Sequence, residues 1–165
     1  MKTLVEMIPD YHERDMFACC VDPGVGGGIA VWLQDRETTE YMAVPVRVAD
    51  WTMKDYIEWF SLHSIRIPVM MEKVGPRPHD GRAALWTFAT NVATWHMAMV
   101  ATETPFFEIT SVKWQQKLMG VTLPREYQAK KKALKEFAER RFPETSVYKW
   151  NADCLAMLTV YREFQ

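Results

Sequence analysis

Met16-Phe17-Ala18-Cys19-Cys20-Val21-Asp22-Pro23-Gly24-Val25-Gly26-Gly27-Gly28-Ile29-Ala30-Val31-Trp32-Leu33 decides how the rest of the chain is read. Met16 to Val21 is apolar, too short for a helix, and stopped by Asp22-Pro23-Gly24, the pattern of a fully buried strand. Four of the seven glycines fall between Gly24 and Gly28, and Ile29 to Leu33 resumes as a second strand. An acid therefore stands at the mouth of a glycine-rich hairpin, where no side chain covers it. Thr38 to Val44 extends the pair into a three-stranded meander. The glycines do not form a P-loop, because no Gly-Lys-Ser/Thr follows, nor a dinucleotide fingerprint, because Ile29 replaces the last glycine and a strand follows in place of a helix. No nucleotide cofactor is expected.

Beyond the meander the period changes. Trp51, Ile57, Trp59, Phe60 and Leu62 fit an amphipathic helix capped by Asp50 or Thr52, and Ile67 to Met71 is a fourth buried strand ending at Glu72. A turn-rich stretch, Gly75 to Gly81, leads into a long apolar helix over about 82–100, then a fifth strand, Phe106 to Ile109. A short helix follows Ser111, a basic helix spans about 126–141, and a last helix starts near Asn151. This order describes an α/β fold: a mixed five-stranded sheet with helices on both faces. With 165 residues, 48% of them hydrophobic, the chain suits a single domain, 1–165, in which 1–15 is expected to be a flexible extension. No apolar run reaches the length of a membrane span, and no signal-peptide pattern is present, so a cytoplasmic protein without a membrane partner is expected. Cys19, Cys20 and Cys154 lack zinc spacing and read as small buried hydrophobes of a reducing compartment.

If the first and fourth strands are parallel neighbours, Asp22 and Glu72 meet at one sheet edge. Asp153, in the first turn of the last helix, is the third carboxylate set beside apolar surroundings. Hard oxygen ligands without a soft neighbour suit Mg²⁺, with Mn²⁺ as a substitute, and such ions promote phosphodiester hydrolysis. The formal charge of −1 hides a polarity: residues 1–80 carry eight Lys/Arg against thirteen Asp/Glu, and residues 81–165 carry twelve against eight. The bases of the second half suit phosphate contacts.

VDPGVGGGIAV, MEKVGPRPHDG with LWTFATNV, ITSVKWQQKLMG, KKKALKEFAERRFP and NADCLAML, in this order, resemble the RuvC-type Holliday junction resolvases, most closely the phage-borne branch. The resemblance implies a ribonuclease-H-like fold, a homodimer, and Mg²⁺-dependent nicking of four-way junctions and other branched DNA in a bacterial cytoplasm. It assigns Asp22, Glu72 and Asp153 as catalytic metal ligands. The family's further acid, three or four residues before the last aspartate, is replaced here by Trp150 and Lys149; Asn151 could supply a neutral oxygen. A family lysine that assists the cleaved phosphate matches Lys131 or Lys132, and spacing does not choose between them. Val74-Gly75-Pro76 stands where bacterial members carry an aromatic wedge.

Candidate DNA contacts are Gly26 and Gly27 in the hairpin, Arg77, His79 and Arg82 around the Pro/Gly-rich loop, Lys113 and Lys117 in the short helix, and Lys130, Lys131, Lys132 and Lys135 in the basic helix. The helix over 82–100 carries too few charges to be solvated all round and is expected to form much of a dimer interface. The remaining Trp and Met residues read mainly as core and interface. Two alternatives stand beside the nuclease: a non-catalytic branched-DNA binder with an incomplete metal site, and an actin-like phosphotransferase, which needs two such domains.

Overall fold

The computed structural model describes residues 2–8, 10–24, 26–38, 40–63, 65–75 and 81–165. Five strands, β1 (Arg14–Asp22), β2 (Gly28–Asp35), β3 (Tyr41–Arg47), β4 (Val69–Lys73) and β5 (Phe106–Thr110), form one sheet in the order β3-β2-β1-β4-β5. The first three form the antiparallel meander; β4 and β5 join parallel to β1. The helices are α1 (Leu4–Met7), α2 (Met53–His63), α3 (Arg82–Ala101), α4 (Ser111–Gln115), α5 (Tyr127–Arg141) and α6 (Ala152–Leu158).

Alternation along β1 divides the interior. Cys19 and Val21 face one core, with Tyr56, Trp59 and Phe60 of α2 and Trp95, Ala98 and Met99 of α3. Ala18 and Cys20 face the other, with Trp114 of α4, Leu134 and Ala138 of α5, and Leu155 to Leu158 of α6. Helices therefore cover both faces, and the apolar run of β1 is continuous because both sides are dry. All seven residues of α6 are buried. A helix of this composition is stable only inside the protein.

Thr52 is the cap of α2: its hydroxyl accepts from the Asp55 N–H at 3.4 Å, and Asp55 Oδ2 accepts from the Thr52 N–H at 2.7 Å. β1 extends past its apolar run at both ends, and the expected strands over 67–71 and 38–44 lie later, at Val69–Lys73 and Tyr41–Arg47, so Asp22 and Glu72 lie within β1 and β4 and do not follow them. The expected flexible extension is also corrected. Thr3 and Glu6 form a capping box on α1, Leu4 is fully buried, and its N–H donates to His63 Nε2 at 3.2 Å. Helical periodicity cannot reveal a four-residue helix, which is why the segment reads as tail. No described helix is long and apolar enough to cross a membrane.

Leu155 anchors α6 with no exposed surface. Leu155→Ala should lower the unfolding free energy by about 3 kcal/mol, measured by denaturant melts.

Candidate metal centre

The parallel register Cys20 to Met70 and Val21 to Met71, continued by one residue, sets Asp22 beside Glu72. From the opposite layer α6 brings in Asp153. One carboxylate oxygen from each lies within 4.8 Å of the other two, and the group sits at the C-terminal end of the parallel strands. Glu72 and Asp153 are buried; Asp22 is partly covered. Asp153 Oδ1 is buried without a hydrogen-bond partner, an unsatisfied acceptor on one of the three clustered carboxylates. An all-carboxylate donor set with an orphaned oxygen fits a hard divalent cation such as Mg²⁺ or Mn²⁺.

Burial first, then Asp22 and Asp153, pushes the Glu72 carboxyl up to about 8, with Lys131 opposing. Burial, then Asp153, likewise raises Asp22, against the N–H of Gly24, which donates to Asp22 Oδ1 at 3.0 Å. Lys131 of α5 donates from Nζ to Asp153 Oδ2. Burial alone would depress its ammonium, but Asp153 and Asp22 outweigh that and hold its proton more tightly than usual.

The turn after Asp22 is shaped by close approach. A Cβ on Gly27 would stand 2.0 Å from the Asp22 carbonyl oxygen, and one on Gly28 would meet the Trp150 ring and the Val46 carbonyl at 2.9 Å. Gly26 meets nothing within 4 Å and lies exposed at the rim. Asn91 of α3 holds the turn from the other side, its Nδ2 donating to the Pro23 carbonyl at 2.6 Å. The sequence reading missed Asn91. The available signal was a lone amide in the middle of an apolar helix.

Several candidate residues are placed elsewhere. Asn151 is corrected as a metal ligand: its Oδ1 accepts from the Tyr148 N–H at 2.7 Å and its Nδ2 donates to the Ser146 carbonyl at 3.0 Å. The amide is fully buried and locks the loop before α6. Lys132 is corrected as a catalytic lysine, since it points to solvent, 79% exposed, and pairs with Glu136 at 3.8 Å one turn along. Lys135 pairs with Glu139, and Lys117 lies 3.8 Å from Glu163. Lys113 is exposed and Lys130 partly so; Arg82 opens α3 on the surface. Arg77 and His79 lie outside the described residues. Trp59 and Trp95 are core, whereas Trp51 and Trp86 open onto a groove of about 430 Å³ beside Gly24.

The class defined here is an α/β sheet of ribonuclease-H-like order carrying three convergent carboxylates on its rim. Among solved structures the fold is similar to Thermus thermophilus RuvC, at a TM-score of 0.54 and 11% identity over 88% of this chain and 95% of that one. It is equally similar to T. thermophilus RuvC in complex with Holliday junction substrate, at a TM-score of 0.54 and 10% identity over 90% and 97%. No protein-family model and no curated protein sequence matches the chain.

Between about pH 4.5 and about 8 the folded, metal-free protein keeps a proton on Glu72 that the unfolded chain has released. Stability should therefore fall as pH rises through that window, and Asp22 acts in the same direction. Melts in chelator should show a declining Tm that Glu72→Gln flattens and Mg²⁺ restores. Gly27→Ala should destabilise by about 2 kcal/mol through overpacking on Asp22, with Gly26→Ala as a neutral control in the same melts.

Proposed function

We propose that this chain is a metal-dependent, structure-selective endodeoxyribonuclease that nicks four-way junctions and other branched DNA. The observation that carries the reading is the convergence of Asp22, Glu72 and Asp153 on the rim of a RuvC-like sheet. One solved relative in fold was captured with a Holliday junction, which supports the choice of substrate.

Asp22, Glu72 and Asp153 would hold Mg²⁺, with Mn²⁺ able to substitute. Such an ion acidifies water and offsets the negative charge that builds on a phosphodiester during in-line hydrolysis. The chain's own residues supply the rest. Gly26 would admit a DNA strand to the carboxylates, since a Cβ there would meet nothing within 4 Å. Lys131 lies against Asp153 with its side chain 29% exposed, and would meet the reacting phosphate as a point charge. Lys113, Lys117, Lys130, Lys132 and Lys135 on α4 and α5 would track the phosphates, and Arg82 would do so from α3.

A junction presents two symmetric strands, and one chain has one such cluster among its described residues. A second copy fits α3. Trp86, Ala89, Ala93, Met97 and Val100 recur at helical spacing along its outer side and are exposed, Trp86 by 77%, Met97 by 62% and Val100 by 67%. A pair of alanines inside such a stripe lets helices approach closely. The homodimer would then set two sites across the crossover.

The deciding experiment is cleavage of a synthetic four-way junction with Mg²⁺. Wild type should nick it, and Asp22→Asn should bind without cutting; an intact junction under binding conditions overturns the nuclease and favours a non-catalytic binder. Binding should weaken by roughly a thousandfold between about 50 and about 200 mM salt, read by fluorescence anisotropy. Lys131→Ala should slow single-turnover cutting by roughly a hundredfold at saturating protein, whereas Lys132→Ala should weaken junction binding and its salt dependence.

A further inference from the structure

Resting on the metal reading above, we infer that each chain holds one divalent cation, and that the Lys131 ammonium takes the place of a second cation at Asp153. Four observations converge on this. Charge is the first. Three carboxylates and one ammonium leave a deficit of two charges, which one divalent ion neutralises; a second ion would sit in an over-positive cluster beside an ammonium. Occupancy is the second, since Lys131 Nζ is bonded to Asp153 Oδ2 and leaves Oδ1 as the oxygen without a partner.

The third observation is the want of further ligands. Among the described residues no other carboxylate joins the group, and the neighbouring amide of Asn151 is fully buried and bonded into its own loop, to the Ser146 carbonyl and the Tyr148 N–H. Trp150, on the other side of that amide, packs its ring against Gly28 in place of a donor. The fourth is rigidity. Leu134 and Ala138 of α5 are fully buried, so the helix cannot draw Lys131 away from the cluster without opening the core. The side chain is 29% exposed, enough for its free face to meet a DNA phosphate.

Mn²⁺ titration of the DNA-free protein, followed by the electron paramagnetic resonance of the unbound ion, counts cations per chain. Wild type should bind one. Two tight ions in wild type overturn the inference while leaving the metal reading intact; none at millimolar Mn²⁺ overturns the metal reading and the inference with it. Lys131→Ala should admit a second Mn²⁺, and its residual junction cleavage should need at least about tenfold more Mn²⁺ for half-saturation. Lys131→Arg, which keeps the positive charge, should still bind one. A Lys131→Ala protein that melts as a folded domain and still binds a single ion refutes the substitution by lysine.

Discussion

Repulsion among three carboxylates is the constraint around which the protein is arranged. Asp22 and Glu72 are brought together by the parallel pairing of β1 and β4, whose backbone ladder does not depend on what the side chains want. Asp153 is driven into the same place by α6, a helix that has nowhere to go but the interior. The hydrophobic burial of α6 and the strand ladder outweigh the electrostatic penalty. The penalty is then lowered locally by the Gly24 N–H on Asp22 and by Lys131 on Asp153.

The two cores divide the labour. The layer of α4, α5 and α6 carries Asp153 and Lys131, and its packing fixes their separation. The layer of α2 and α3 holds the turn in place through Asn91 and the Pro23 carbonyl. Neither layer alone makes the site. Part of the stability gained in both cores offsets the like charges at the rim, the usual arrangement where chemistry requires a strained electrostatic environment.

Much of this was legible in the chain. Short apolar runs ended by Asp22 and Glu72 disclosed buried strands, and a parallel neighbour relation brought the two acids to one edge. Periodicity located the long helices, and the scarcity of charge on α3 marked it as a helix with an apolar surface to cover. What escaped was set by contacts across the fold. Lys131 and Lys132 are equivalent in sequence, and only the orientation of α5, fixed by Leu134 and Ala138, turns one inward and the other to water. Asn151 offers oxygen on paper, but its loop claims both ends of the amide. β1 was read too short because Arg14 and Asp15 are polar ends whose backbone pairing continues past the core, and β3 and β4 were read three and two residues early because their polar ends, Arg47 and Lys73, also pair. The N-terminal turn was invisible because Leu4 is buried by the core under α2 and α3, and its N–H is held by His63, fifty-nine residues away.

Cys19 and Cys20 give the two-core arrangement a practical meaning. They are neighbours in the chain, yet one thiol belongs to the layer under α2 and α3 and the other to the layer under α4 to α6. Both are fully enclosed, and burial holds each as an unreactive thiol. An alkylating reagent can reach either one only when its own side of the sheet opens. The two adjacent sulfurs thus act as separate reporters of subglobal opening, able to distinguish loosening of the layer that carries Asp153 from loosening of the layer that steadies the turn.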